Sequence, residues 1–150
     1  MNIQINAIRE MVQVLVRRMG FIQKEGAQCC GISLVQGHIM YEIAKQPGIS
    51  LNDLADRLGL DNSTMSRHIK TSVNQGYVLN TLSQDDRRFL TLSLTEKGEE
   101  IEKDFSELMA KYLEELFAQI PEEKKLQVIE SIEILANVLG KSPLCCKGPF

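Results

Sequence analysis

The sequence predicts a mainly α-helical fold that carries one small β-hairpin. Three observations lead to this class. Apolar residues recur at helical spacing along much of the 150-residue chain. Residues 51–75 have the pattern of two short helices separated by a tight turn. Residues 77–94 alternate apolar and polar side chains on both sides of a polar turn, which is typical of a hairpin.

The two short helices are marked by their caps and by their apolar spacing. The first begins after Ser50, a good N-cap, and Gly59 ends it. Its apolar stripe consists of Leu51, Leu54, Ala55 and Leu58. Asp61 or Asn62 can cap the second helix. The buried face of that helix is predicted to be Met65, Ile69 and Val73, which repeat every four residues.

The opposite face of the second helix carries small polar side chains and two cations. No bulky side chain there would keep the helix out of a major groove of DNA. Hydroxyl and cationic groups can donate hydrogen bonds to phosphates and to base edges. The sequence therefore predicts DNA contacts from Asn62, Ser63, Thr64, Ser66, Arg67 and Lys70.

The hairpin is predicted to pair residues 77–82 with residues 89–94, and its turn is entirely polar. Two arginines at such a tip suit insertion into a narrow minor groove, where the negative potential is enhanced. Asp85 would orient Arg87, and Arg88 is a further expected contact. The alternative is a solvated turn of mutually neutralising charges. The preceding helix pair favours the DNA contact, and together they predict a winged helix-turn-helix.

Five segments, in this order and separation, resemble the MarR family of bacterial transcriptional regulators. The segments are residues 32–36, 54–58, 61–67, 85–88 and 92–98, and the resemblance covers nearly the whole chain. It implies a homodimer that binds pseudo-palindromic operators on double-stranded DNA and releases them on an effector signal. By position, the recognition helix would be Asn62–Gln75 and the arginine at the wing tip would be Arg87. His68 and Ser72 depart from the pattern, since related sequences often have aliphatic residues there.

The chain is predicted to be one domain, residues 1–150, with three parts. Residues 32–98 would form the DNA-binding lobe, residues 1–28 and 99–140 the dimerisation helices, and residues 141–150 a cysteine-containing tail. Apolar stripes run through the dimerisation helices: Ile5, Ile8, Val12, Leu15, Met19 and Ile22, then Ile101, Phe105, Leu108, Tyr112 and Leu116. The last helix starts at Pro121 and is apolar almost all round. It therefore predicts an isologous dimer, with an ordinary intrachain bundle as the alternative.

The composition is that of a soluble globular protein, 43% hydrophobic and 25% charged. Residues 51–97 hold six cations and six acids, whereas residues 98–150 hold six cations and eleven acids. An acidic body with basic tips favours a few directed DNA contacts over indiscriminate coating. No signal peptide and no run of 18 apolar residues is found, so a cytoplasmic protein without membrane contact is expected.

Four cysteines fall in two adjacent pairs, Cys29 with Cys30 and Cys145 with Cys146. A cytosolic location disfavours structural disulfides, which leaves buried thiols, metal ligands or redox-active thiols. The first pair precedes a helix capped by Ser33, whose dipole would favour a thiolate. The second lies in a tail with little apolar sequence around it, which favours exposure. No cofactor is required, but a thiol-bound soft metal or metalloid is a candidate effector.

No catalytic residues are predicted. His38 and His68 stand alone, and the spacings of known hydrolase and nucleotide-binding motifs are absent. The sequence therefore predicts a non-enzymatic dimeric repressor, released by a metal, a metalloid, an oxidant or a small molecule bound between the lobe and the dimer helices. Two alternatives stay open. One is a thiol-rich metal-binding or redox protein with a vestigial DNA-binding lobe, and the other is a winged-helix module that binds protein.

Overall fold

The computed structural model describes the backbone of residues 5–83 and 89–141, and their side chains except those of residues 20–29. The helices in this part of the chain are α1 (Ile5–Cys30), α2 (Leu34–Lys45), α3 (Leu51–Leu58), α4 (Asn62–Asn74), α5 (Glu96–Ala118) and α6 (Glu122–Gly140). The strands are β1 (Ile49–Ser50), β2 (Val78–Leu82) and β3 (Leu90–Leu94). The predicted class, mainly helical with a small hairpin wing, is confirmed.

The core of the molecule lies where α2, α3 and α4 meet the sheet. Nine side chains, none more than 2% exposed, form its main cluster: Ile39, Ile43, Ile49, Leu54, Ala55, Met65, Ile69, Val78 and Leu92. Full burial of one such aliphatic side chain contributes about 1.5–3 kcal/mol. A second cluster of Ile32, Met40 and Phe105 joins α2 to α5. The core therefore holds the helix pair and the hairpin as one packed unit.

The helix pair has the caps that its sequence predicts. The Ser50 hydroxyl accepts a hydrogen bond from the Asp53 N–H at 3.1 Å, and Asp61 caps α4. Gly59 ends α3 in the left-handed conformation, with φ 63°, which a residue without a Cβ adopts at little cost. Leu60 alone stands between this glycine and Asp61. The turn between α3 and α4 is therefore short and fixed at both ends.

The three strands form an antiparallel sheet in the order β1-β3-β2. Leu92 of β3 lies between Ile49 of β1 and Asn80 of β2, and the hairpin pairing extends to Leu82 opposite Leu90. Strand β1 was not predicted, because two residues carry no alternation that a sequence pattern can reveal. It ties the segment between α2 and α3 to the base of the wing.

The start of α5 is fixed to the end of α4. Thr95 caps α5 by accepting from the Gly98 N–H at 2.9 Å, and its hydroxyl donates to the Gly76 carbonyl at 2.6 Å. A Cβ on Gly98 would overlap the backbone carbonyl of Tyr77. Lys97 Nζ donates to the Gln75 carbonyl at 3.1 Å and lies 4.8 Å from the centroid of the Tyr77 ring. The segment from Thr95 to Gly98 therefore joins α4, β2 and α5.

Two local expectations differ from the structure. Val73, predicted to be buried, is 37% exposed, and Ser72 is fully buried in its place. Since a helix turns every 3.6 residues, the stripe from Met65 through Ile69 continues on Ser72. The other difference concerns Cys30, which is the last residue of α1. The first cysteine pair therefore lies at a helix C-terminus, whose dipole disfavours negative charge, although Ser33 does cap α2.

Helices α1 and α6 leave most of their apolar side chains exposed, and none of α6 is buried. The exposed members are Ile5, Ile8, Met11, Val12, Val14, Leu15, Val16 and Met19 of α1, with Leu126, Ile129, Ile132, Ile134, Leu135, Val138 and Leu139 of α6. Among the helices that the structure describes, none is both long and apolar enough to cross a lipid bilayer.

Candidate nucleic-acid interface

Helix α4 presents a continuous polar face. Of the six side chains predicted to contact DNA, Thr64 is partly buried, and the other five are exposed: Asn62, Ser63, Ser66, Arg67 and Lys70. The opposite face is anchored in the core through Met65 and Ile69. The fold therefore brings the six predicted residues together on one rigid helix, about 20 Å long at 1.5 Å per residue.

The first turn of α4 is organised by Asp61. Its carboxylate accepts hydrogen bonds from the hydroxyls of Ser63 and Thr64, each at 2.6 Å, and from the Thr64 N–H at 2.9 Å. These bonds, the one from the Ser63 hydroxyl foremost, hold the pKa of Asp61 well below its usual range. Arg67 Nη2 in turn donates to Thr64 Oγ1 at 3.2 Å. The polar groups at the start of α4 are therefore oriented before any ligand arrives.

The last turn of α4 is held by a polar contact inside the protein. Gln36 Nε2, on α2, donates to Gln75 Oε1 at 2.6 Å and to Ser72 Oγ at 3.5 Å. Ser33 completes a capping box with Gln36 at the start of α2. This contact accounts for Ser72, the departure from the expected aliphatic pattern, because a buried hydroxyl needs a partner. Sequence reasoning missed it, since Gln36 and Ser72 are 36 residues apart.

The two strands of the hairpin stay paired beyond Leu82 and Leu90. Pairing continues through Ser83, whose N–H donates to the Phe89 carbonyl at 2.9 Å. In the strand pair next to Leu82 and Leu90, the Thr81 and Thr91 hydroxyls lie 3.2 Å apart. The predicted contacts Asp85, Arg87 and Arg88 lie outside the described residues, and their roles stay predictions.

The sequence and the fold of this chain are both similar to those of known proteins. A model of the MarR family matches residues 32–89, which include the helix pair and β2 and end one residue before β3. The HTH-type transcriptional regulator BilQ of Clostridium symbiosum is 27% identical over 84% of this chain and 83% of its own length. A solved MarR transcriptional regulator from Methanosarcina mazei is 26% identical, with a TM-score of 0.75 over 88% of this chain and 95% of that one. The chain therefore resembles the MarR family, whose model covers its residues 32–89.

The similarity in fold extends to MarR-family structures that contain DNA. Streptococcus pneumoniae FabT, solved in complex with DNA, has a TM-score of 0.78 at 20% identity and covers 88% of this chain and 96% of its own. Another curated relative, the HTH-type transcriptional regulator SarZ of Staphylococcus aureus, is 27% identical over 69% of this chain and 67% of its own length. These two curated relatives are named as transcriptional regulators, in agreement with the predicted class of protein.

Within this fold, a cavity of about 410 Å³ lies between α2 and α5. It is lined by His38, Tyr41, Phe105, Ser106, Met109, Ala110 and Leu113. The His38 ring stands edge-on to the Phe105 ring, with centroids 6.5 Å apart. His38, which is exposed on α2, therefore lines the cavity beside α5. The sequence signal that was overlooked is the spacing of these residues, three apart on α2 and four apart on α5, which places each set on one helix face.

The thiols of this chain are described only in part. Cys30 is partly buried and packs against the cluster of Ile32, Met40 and Phe105. The Cys29 side chain, Cys145 and Cys146 lie outside the described residues. Among the side chains that the structure describes, no three histidine, cysteine, aspartate or glutamate residues are grouped as metal ligands would be. The predicted thiol site stays a prediction.

Proposed function

We propose that this chain is a dimeric, sequence-specific DNA-binding transcriptional regulator that acts as a repressor. The exposed polar face of α4 carries the proposal, because it offers donors on a helix whose other face is fixed in the core. A helix presented in this way fits the major groove of B-DNA. Staphylococcus aureus MepR, solved as a DNA complex, shares the fold with a TM-score of 0.76 at 19% identity.

In this proposal Asn62, Ser63, Thr64 and Ser66 approach base edges, while the two cations of α4 bind guanine or phosphate. Arg67 is already oriented by Thr64 Oγ1, which suits a directed contact to a base. Asp85, Arg87 and Arg88 would place the wing in the adjacent minor groove. Two such lobes about 34 Å apart would read a pseudo-palindromic operator.

The second copy that this geometry needs would pack on α1 and α6. An apolar groove of about 390 Å³ runs between them, with Leu15 on one side and Val128, Ile132 and Leu135 on the other. Ile134 and Val138 of α6 are 65% and 62% exposed. An isologous contact would cover such residues on both copies at once. The domain division given above, with residues 1–28 and 99–140 as the dimerisation helices, is part of this proposal.

Release of DNA requires an effector that binds two states of the dimer unequally. The cavity between α2 and α5 suits a small apolar ligand, because its lining is mostly apolar and His38 and Tyr41 supply polar groups. A ligand there would contact both α2, which belongs to the lobe, and α5, most of which belongs to the proposed dimerisation region. Thiol chemistry at Cys29, Cys30, Cys145 and Cys146 is the other candidate signal, through a soft metal or metalloid or through an oxidant.

Selection from a randomised duplex library, followed by a salt titration of the selected sequence, tests the DNA-binding function. The expected result is at least about 1,000-fold preference for the selected duplex over a scrambled one, with affinity falling steeply as salt rises. Binding without sequence preference would contradict the proposal. In that case a vestigial lobe on a thiol protein, or a module that binds protein, would take its place.

The thiol signal is tested on the same duplex with arsenite, zinc, copper(I) and peroxide. We expect these reagents to weaken binding by the unaltered protein and to act less on Cys29→Ser/Cys30→Ser or Cys145→Ser/Cys146→Ser. The reason is that soft metals and oxidants both act on accessible thiolates. Equal responses of all three proteins would contradict the thiol mechanism and leave the cavity between α2 and α5 as the effector site.

A further inference from the structure

Gln36 forms a polar link between α2 and the end of α4, in addition to the apolar core cluster to which both helices contribute. Among the described residues, the buried polar side chains are Gln36, 7% exposed, and Ser72, fully buried. Both belong to the same contact, in which Gln36 Nε2 reaches Ser72 Oγ and Gln75 Oε1. A buried amide costs stability unless its hydrogen bonds are made, whereas an apolar side chain would fill the same space without that requirement. Packing alone therefore does not explain a glutamine at this position.

The direction of this link is fixed by the start of α2. Gln36 Oε1 accepts from the Ser33 N–H at 3.0 Å, so the carbonyl end of the amide is held toward α2. Its NH₂ group is therefore turned toward α4, where Gln75 Oε1 and Ser72 Oγ accept. An amide held at both ends admits one arrangement of the two helices, whereas contacts such as Met65 and Ile69 with their neighbours are not directional.

We propose that Gln36 is a positioning residue that sets the orientation of α4 for reading DNA, an inference that rests on the proposed DNA-binding function. Ser72 and Ser63 are nine residues apart, so the link acts about 14 Å along the helix from the turn that would meet the bases. A small rotation of α4 about the end that carries Ser72 would therefore displace the turn that carries Ser63. Loss of Gln36 therefore impairs base recognition more than it impairs folding or attraction to phosphates.

The link also reaches α1, the first of the two helices proposed to form the dimer. Ser33, which holds Gln36 Oε1, follows Cys30, the last residue of α1, after only Gly31 and Ile32. Gly31 makes this turn in the left-handed conformation, with φ 69°. In this proposal, a movement of α1 relative to α2 would act on Ser33 through Gly31 and Ile32, and through the Ser33 N–H on the amide that orients α4.

The test compares Gln36→Met with Ser33→Ala. Gln36→Met keeps the length of the side chain and removes the amide. Ser33→Ala removes the helix cap, in which Ser33 Oγ accepts from the Gln36 N–H at 3.2 Å, and leaves the link to α4 intact. Affinities are measured for the duplex selected by the unaltered protein and for a scrambled duplex, and melting temperatures are measured in parallel.

We expect Gln36→Met to bind the selected duplex about tenfold more weakly, as after the loss of one directed base contact, while binding to the scrambled duplex changes by less than about twofold. Ser33→Ala should lower the melting temperature and leave both affinities within about twofold. Gln36→Met/Gln75→Met should bind no more weakly than Gln36→Met, because the link is already absent in the single variant.

Unchanged affinity of folded Gln36→Met for the selected duplex would overturn the inference. So would an equal loss in Ser33→Ala, which would show that the loss follows from general destabilisation. If Gln36→Met fails to fold, Gln75→Met tests the link from its exposed end. Weaker binding of the selected duplex at an unchanged melting temperature is then expected, and unchanged binding overturns the inference. Failure of the unaltered protein to select any duplex would instead overturn the proposed function itself.

Discussion

Arg67 and Lys70 lie one turn apart on α4, and their surroundings assign them different tasks. The Arg67 guanidinium is oriented by Thr64 Oγ1, and through Thr64 by the Asp61 carboxylate. Lys70 is exposed on the same helix. An oriented guanidinium suits a bidentate contact with guanine, whereas a flexible ammonium acts as a point charge on phosphate.

Arg67→Ala should therefore weaken binding to the selected duplex by about 1–3 kcal/mol and relax the preference at one base position. Lys70→Ala should weaken binding to all sequences alike and lower the salt slope by about one unit. Salt titrations of both variants on selected and scrambled duplexes check this. A sequence-selective loss in Lys70→Ala would contradict its assignment to phosphate.

Asp61 predicts a particular dependence of stability on pH. Hydrogen bonds from the Ser63 and Thr64 hydroxyls lower its pKa in the folded protein, so the ionised form stabilises the fold. This stability is complete above the ordinary aspartate pKa, about 3.9, and declines as the pH falls below that value. Asp61→Ala should therefore be less stable than the unaltered protein at pH 7, and the difference should shrink toward pH 3.

Urea unfolding at both pH values measures this difference for Asp61→Ala. Asp56→Ala is the matched control, because Asp56 is an exposed aspartate within α3 rather than a cap. The difference in free energy of unfolding from the unaltered protein should change more between the two pH values for Asp61→Ala than for Asp56→Ala. A difference for Asp61→Ala that does not change with pH would contradict the role of the ionised cap.

At the scale of elements, the junction of α4, β2 and α5 depends on a glycine. A Cβ at Gly98 would overlap the Tyr77 carbonyl, and this backbone cannot turn aside as a side chain can. Gly98→Ala should therefore cost about 1–3 kcal/mol of stability, as overpacking of a core does. Gly140→Ala is the control, since a Cβ there meets nothing within 4 Å. Thermal unfolding of both variants tests this, and equal stability of Gly98→Ala and the unaltered protein would contradict the close contact.

The elements differ in how far the sequence could predict them. The turn between α3 and α4 was predictable because Ser50, Gly59 and Asp61 act on their immediate neighbours. Strand β1 was not, because its two residues form a strand only where β3 is already present. The burial of Ser72 in place of Val73 was not predictable for the same reason, because a buried serine depends on its partner Gln36, which belongs to another helix.

The candidate site follows the same division. Its exposed face was predictable because helical periodicity alone places Ser63, Arg67 and Lys70 away from the core. The cavity between α2 and α5 was predictable only in part, because spacing places its lining residues on one face of each helix but does not show that these two faces meet. Local signals identify caps and faces, whereas contacts between distant segments need the folded chain.

At the scale of the whole molecule, the proposed dimer rests on α1 and α6. Ile134→Glu places a charge on an apolar face that a second copy would bury, and an unpaired buried charge is strongly unfavourable. We expect this variant to sediment as a monomer and to lose binding to the selected duplex. Leu79→Glu is the control, because Leu79 is also exposed but lies on β2, away from α6. A dimeric Ile134→Glu would contradict the proposed interface.

The hydroxyl of Thr95 couples the start of α5 to the end of α4, and so to the polar face of α4 that is proposed to contact DNA. This hydroxyl bonds to the carbonyls of Gly76 and Tyr77, which follow α4, and to the N–H of Gly98 in the first turn of α5. These segments are therefore expected to move together when α5 tilts. The 23 residues of α5 span about 35 Å. A tilt of about 5° about its far end would displace the lobe by about 3 Å, close to the rise of one base pair. A change too small to disturb the packing of the dimer would thus be large enough to move the lobe by one step along the DNA.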